Sequence, residues 1–256
     1  MLRSLRIAIL LLVMIASTGC VARGDPTKPI PSSVVRAPRE AARLVVVLPG
    51  RGDDLQGLID SGIAGAVQSA WPDADVILAE LTLAYYEDGR ASQRLHDEVI
   101  APARRRGYRE IWLAGASMGG MGTLMYAAAY PGDIDGMVLL APYVGDKPMM
   151  DEIYNAGGVA RWNPGPQQPL NGATWQRELW RYLQTWGHEP EKARNVWLAY
   201  GDTDRIAKAM PFLEPLLRPE QILVRSGGHT WKVWTPAMQE ILTRARPVDA
   251  GASGSR

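Results

Sequence analysis

Ile111-Trp112-Leu113-Ala114-Gly115-Ala116-Ser117-Met118-Gly119-Gly120-Met121 decides the fold. It opens as a short apolar run of the kind that forms a buried strand, turns through small residues at Ser117, and continues as a helical pattern from Met121 to Tyr130. A serine on so sharp a strand-to-helix turn sits in strained backbone geometry. The residues two before and two after it must therefore be glycine or very small, and Gly115 and Gly119 meet that demand. The pentapeptide alone is weak. Its place between a strand and a helix is what the mechanics of such a turn require.

The surrounding chain repeats the alternation. Leu44 to Leu48 is a run of leucine and valine suited to a strand buried on both faces of a parallel sheet, and similar runs recur at Val76–Leu81, Gly136–Leu140, Val196–Tyr200 and Gln221–Val224. Helical patterns cover Leu55–Ala70, Gln93–Arg106, Arg205–Leu217 and Pro236–Ala245. Together they predict an α/β fold with a mostly parallel sheet of about six strands and helices on both faces. Between Pro142 and Asn195 the alternation breaks, and Tyr143, Tyr154, Trp162, Trp175, Trp180, Tyr182 and Trp186 crowd into about fifty residues. This predicts a cap, at about 143–194, over the carboxyl edge of the sheet. The insert holds no basic cluster that would call for a strongly anionic substrate.

A serine hydroxyl needs a base, and the chain has three histidines. His96 lies in a polar helical stretch and reads as a surface residue. His188 stands beside a proline in the insert and reads as capping or packing. His229 follows the last buried strand in Ser226-Gly227-Gly228-His229-Thr230-Trp231, where two glycines let the loop curl toward Ser117. The base in turn needs an acid. Tyr200-Gly201-Asp202-Thr203-Asp204-Arg205 follows the preceding strand and offers two. Asp204 can point inward from the loop, whereas Asp202 is placed to bond the turn or cap the next helix. Asp204 is the acid expected, with Asp202 as the alternative. The order Ser117, Asp204, His229 then predicts acyl chemistry. Leu48-Pro49-Gly50-Arg51-Gly52-Asp53-Asp54, after the first core strand, would supply one oxyanion donor from the backbone N–H of Arg51, and Met118 the other. The Arg-Gly-Asp tripeptide in this loop is read as coincidence.

These four segments resemble the α/β-hydrolase family over about residues 43 to 246. The Pro-Gly-Arg-Gly-Asp-Asp loop is most similar to the carboxylesterase and lysophospholipase-like branch, which commonly has histidine where Pro49 stands. The resemblance implies a serine hydrolase of carboxylic esters or thioesters, without metal or organic cofactor. An acyltransferase on the same triad and a noncatalytic binding protein are the alternatives.

Composition fits a soluble core with no nucleic-acid surface: 46% of residues are hydrophobic, 21% are charged, and the formal net charge is +1. Arg3 and Arg6 precede an apolar run from Ile7 to Ala16 and the small residues Ser17, Thr18 and Gly19, the layout of a secretory signal over residues 1–19. The single cysteine, Cys20, comes directly after, so Gly19-Cys20 resembles the end of a bacterial lipobox. The expectation is an exported protein held on a membrane of the cell envelope through lipid at Cys20. Residues 20–42, with four prolines, read as a tether, 43–246 as the domain, and 247–256 as a flexible tail.

Overall fold

The computed structural model describes residues 24–245, so the signal segment, Cys20 and the carboxyl-terminal tail lie outside the described residues. Seven strands form one sheet in the order β1-β3-β2-β4-β5-β6-β7. They are β1 (Ser32–Val35), β2 (Arg43–Leu48), β3 (Ala74–Ala79), β4 (Glu110–Ala116), β5 (Gly136–Leu140), β6 (Val196–Gly201) and β7 (Ile222–Arg225). All pairings are parallel except that of β1 with β3.

The apolar runs make strands because both faces of the sheet are covered. Val45, Val47, Val76, Leu78 and Trp112 point to one face, where Trp71, Ile63, Val67, Trp234 and Ile241 pack on them. Leu44, Val46, Leu48, Ile77 and Leu113 point to the other, against Leu95, Ile100 and Tyr126. The helices carrying the first face are α1 (Leu55–Asp60), α2 (Ile63–Ala70) and, near the carboxyl end, α9 (Trp231–Arg244). The second face is covered by α3 (Leu83–Glu87), α4 (Ala91–Leu95), a π turn at His96–Ile100, α5 (Ala101–Arg105) and α6 (Met118–Ala129). Gly62, at φ +70°, splits the expected Leu55–Ala70 helix in two, a backbone region favourable to glycine.

Three other expectations change. The sheet has a seventh strand before Arg43: β1 pairs Ser32 with Ala79 and Val35 with Val76. The stretch expected as a free tether is thus docked from Gly24 onward. Ile30 is buried, its N–H donates to Glu98 at 2.7 Å, and Arg36 pairs with Asp75 at 2.7 Å. Prolines at 29 and 31 are compatible with this because β1 is an edge strand. The Arg205–Leu217 stretch is not an α-helix but short 3₁₀ turns at Ala207–Phe212 and Glu214–Leu216. Pro211 and Pro215 supply no N–H for a continuous ladder.

The insert folds as α7 (Lys147–Asn155) and α8 (Trp175–Thr185). Its tryptophans are mostly core: Trp162, Trp180 and Trp186 are buried with Leu124, Leu139, Leu179 and Leu198, and only Trp175 is half-buried, beside Tyr143 at 5.9 Å between ring centres. Trp180 Nε1 donates to the Val144 carbonyl at 2.7 Å, which supplies the partner a buried indole needs.

Candidate active site

The chain runs from β2 outward to β3 and then crosses back to β4 on the other side of β2. That reversal leaves a crevice between the loops after β2 and β4, the place where open parallel sheets build their sites. The register pairs Leu48 with Gly115, so the Pro49–Asp54 loop and the Ser117 turn start side by side.

Ser117 has φ 54° and ψ −112°, a left-handed backbone that a side chain adopts only under constraint. The constraint is visible. A Cβ on Gly115 would lie 2.1 Å from the Gly119 carbonyl oxygen, and one on Gly119 would lie 2.5 and 2.6 Å from the carbonyl oxygens of Leu48 and Pro49. Ser117 N–H donates to Leu140 at 2.8 Å, and its carbonyl accepts from Tyr143 N–H at 2.9 Å. The neighbouring strand and the start of the insert thus clamp the turn. Met118 opens α6, so its N–H belongs to the first helical turn, whose donors have no intrahelical acceptor.

The loops after β6 and β7 are zipped together. Thr203 N–H donates to Gly227 at 3.1 Å and Asp202 N–H to Arg225 at 2.8 Å. A Cβ on Gly201 would come within 2.0 Å of the Gly227 carbonyl oxygen. His229 Nδ1 lies 2.8 and 2.9 Å from the two carboxylate oxygens of Asp204. Asp204 is buried, and one of those oxygens also accepts from Ile206 N–H at 2.9 Å. Asp202 is exposed and instead accepts from Gly227 N–H at 2.9 Å. An ionised carboxylate only accepts, so the pair places a proton on Nδ1 and leaves the lone pair on Nε2. Nε2 is buried and has no hydrogen-bond partner among the described residues. Trp234 stands edge-on to the imidazole at 4.7 Å. Burial pushes the His229 pKa below its ordinary value, against the opposing pull of Asp204; the charge of Arg205 adds to the lowering.

Asp53 joins the two halves. Its Oδ2 accepts from Gly50 N–H at 3.2 Å and from Trp231 Nε1 at 3.0 Å. Ser117 lies directly behind Gly50, where an added Cβ would meet the serine Cβ at 3.8 Å. The Asp53 carboxylate therefore ties the Arg51 turn, beside Ser117, to the segment that carries His229. Nothing in the local Pro49–Asp54 sequence marks Asp53 for this role. Arg51 is exposed at the tip of the turn.

The other histidines stand apart. His188 is exposed at the end of α8. His96, expected on the surface, is half-buried, stacked on Tyr130 at 4.3 Å and 3.1 Å from both Tyr126 Oη and Asp133. Two cavities flank the sheet. One of about 660 Å³ lies at the amino-terminal ends of β4 to β6, lined by Glu110, Gly136 and Asn195. The other, about 470 Å³, lies at the carboxyl edge between Tyr143, Met150, Tyr154, Arg205, Lys208 and Phe212. The smaller one lies at the edge where side chains at strand carboxyl ends converge. Ser117, Asp204 and His229 do not line it themselves, but Tyr143, whose N–H binds the Ser117 carbonyl, and Arg205, which follows Asp204, do. Among the described residues no group of His, Cys, Asp or Glu could hold a metal ion.

A mostly parallel sheet, a strained Ser117 turn at its crevice and an Asp–His pair on the last two strand loops make this an α/β-hydrolase fold. Residues 93–169, which include Ser117 but neither Asp204 nor His229, match the family described as serine aminopeptidase, S33. The structure is similar to FphF, a fluorophosphonate-binding serine hydrolase of Staphylococcus aureus, with TM-score 0.61 and 16% identity over 84% of this chain and 92% of that one. It is also similar to Est1E from Butyrivibrio proteoclasticus, with TM-score 0.55 and 15% identity over 84% and 93% of the two chains. The S-formylglutathione hydrolase FrmB of Staphylococcus aureus gives TM-score 0.55 and 13% identity over 85% and 98%. No curated protein matches the sequence.

Proposed function

We propose that the protein is a serine hydrolase that cleaves carboxylic esters or thioesters through an acyl-enzyme on Ser117. His229 Nε2 takes the serine proton as the hydroxyl attacks the ester carbonyl, and Asp204 holds the imidazole in the required tautomer. The backbone N–H groups of Arg51 and Met118 receive the developing oxyanion. His229 then returns the proton to the leaving alcohol or thiol, and water repeats the cycle on the acyl-enzyme. The observation that carries this reading is the buried Asp204–His229 pair with its unpartnered Nε2, on loops flanking a serine in strained geometry. The test is a phosphonylating active-site probe. It should label the parent at Ser117 and leave Ser117→Ala unlabelled, with short-chain ester hydrolysis down by at least about a thousandfold. Comparable turnover in the purified variant removes Ser117 from the mechanism.

The same reading includes a lipid anchor at Cys20 and a place on a membrane of the cell envelope. The docked amino-terminal segment supports the geometry: β1 is antiparallel and begins opposite Ala79, the carboxyl end of β3. The chain therefore reaches the sheet from the catalytic edge, and an anchor four residues before Gly24 would hold that edge toward the membrane. If Cys20→Ser fractionates with membranes as fully as the parent, lipid is not the anchor.

A further inference from the structure

The groove beside Ser117 has a mixed character that the insert alone does not explain. Its apolar walls are Tyr143, Met150, Ile206 and Phe212, and its volume of about 470 Å³ suits a small-molecule arm. Two of its lining residues are tied to the site: Tyr143 N–H binds the Ser117 carbonyl, and Arg205 comes directly after Asp204. Its charged residues are Asp146, Lys147, Asp151, Arg205 and Lys208. Three of these are already occupied. Lys147 and Asp151 pair at 2.5 Å, and Asp146 caps α7 by accepting from Met149 N–H at 3.4 Å. Arg205 and Lys208 are exposed and form no ion pair among the described residues. They come from the loop after β6, outside the insert.

Resting on the serine hydrolase reading, we propose that this groove selects esters whose apolar arm ends in one anionic group, a carboxylate or a phosphate, and that Arg205 and Lys208 are the residues that select it. The apolar walls bury the arm. The two cations receive the anion in an exposed setting, so each contributes modestly and in a salt-dependent way. A bound anion would also offset the charge of Arg205 that lowers the His229 pKa. The acid limb of kcat should then lie at higher pH for an anionic ester than for a neutral one.

The experiment compares three 4-nitrophenyl or alkyl esters of equal length: a neutral hexanoate, the monoester of a six-carbon dicarboxylic acid, and an ester whose alcohol arm ends in a phosphate. The first anionic ester places its charge on the acyl side and the second on the alcohol side. The parent should favour at least one anionic ester over the neutral one in kcat/KM. Lys208→Gln should lower the anionic-to-neutral ratio by about threefold to fivefold, and Arg205→Gln/Lys208→Gln by about tenfold or more. Raising the salt from 20 mM to 500 mM should erase about the same preference. Equal ratios in parent and double variant, for both anionic esters, overturn the proposal. Neutral turnover and phosphonylation of Ser117 are read alongside. If both are absent the serine hydrolase reading has failed, and if both persist with no anionic preference only the groove assignment has.

Discussion

Replacing Asp204 by asparagine changes no volume and tests the core of the proposed chemistry. The carboxylate accepts from His229 Nδ1 with both oxygens, at 2.8 and 2.9 Å, and from Ile206 N–H at 2.9 Å. The oxygen that accepts from Ile206 N–H also lies 2.8 Å from Nδ1, so the asparagine oxygen can keep both bonds there. The amide nitrogen then takes the place of the other oxygen, 2.9 Å from Nδ1, where it can only donate; it opposes the Nδ1 proton, favours the tautomer protonated on Nε2, and removes the charge that stabilises the imidazolium. A base protonated on Nε2 cannot accept the serine proton. The expected loss in kcat is about 10³ to 10⁴-fold, or about 4 to 5.5 kcal/mol of transition-state stabilisation.

Asp202→Asn is the matched control. Asp202 is exposed and accepts only from Gly227 N–H at 2.9 Å, a bond the asparagine oxygen can keep, so its effect should stay within about threefold. Steady-state hydrolysis of a short aryl ester from pH 5 to 9, with thermal melts to show both variants folded, makes the comparison. If Asp204→Asn stays within tenfold of the parent, or Asp202→Asn falls as far, the assignment of the acid is wrong.

Three further outcomes are expected. Because burial holds the His229 pKa below its ordinary value, the neutral base should persist below about pH 6.5, and an acid limb of kcat/KM centred above pH 7 would contradict the site; the same depression contributes folding stability that is present above the unfolded value and lost as pH falls toward the folded one. Asp53→Ala, which removes the acceptor shared by Gly50 N–H and Trp231 Nε1, should lower kcat by about tenfold to a hundredfold and move the acid limb to lower pH, since the Asp53 charge raises the His229 pKa; Asp53→Asn should restore part of the rate but not the limb, and unchanged kinetics would reduce Asp53 to a turn residue. Trp180→Ala should cost about 3 to 5 kcal/mol, seen as a melting temperature lower by about 10 °C or more, because the side chain is fully buried and the Val144 carbonyl loses its donor; a change of less than about 3 °C would mean that the insert core contributes little to stability.

The parts legible in the sequence were those with a short-range physical cause. Continuous apolar runs mark strands covered on both faces, and glycines two residues either side of Ser117 mark a turn too tight for Cβ atoms; the structure gives each contact behind that rule a distance. The edge strand was not legible. Ser32–Val35 is only half covered, with alternating exposure, and its flanking prolines read as linker. The 3₁₀ turns after Asp204 were misread for a related reason: the apolar spacing of Arg205–Leu217 is helical, but Pro211 and Pro215 override it. Spacing reports which face is buried, not whether every donor in the ladder exists.

The site divides along the same line. Ser117, Asp204 and His229 each stand at the end of a recognisable strand, so topology alone carries them to one edge. Asp53 and the proposed Arg205–Lys208 pair depend on contacts between elements, and no local pattern announces them. Asp53 is bound to Trp231 across 178 positions of sequence. Lys208, in the 3₁₀ turn Ala207–Phe212, lines the same groove as Tyr143 and Met150 of the insert. The reading of the insert as a roof over the pocket needs the same amendment. Three of its four tryptophans are buried in a core shared with α6, β5 and β6, and the aromatic and methionine side chains it offers the groove are Tyr143, Met150 and Tyr154. The groove is therefore lined jointly by the insert and by the loop that carries Asp204: both supply apolar wall, and the loop supplies the two cations that form no ion pair among the described residues. On the proposed reading, a change in substrate preference would arise at Lys208, in the loop after β6, with the Ser117 turn untouched.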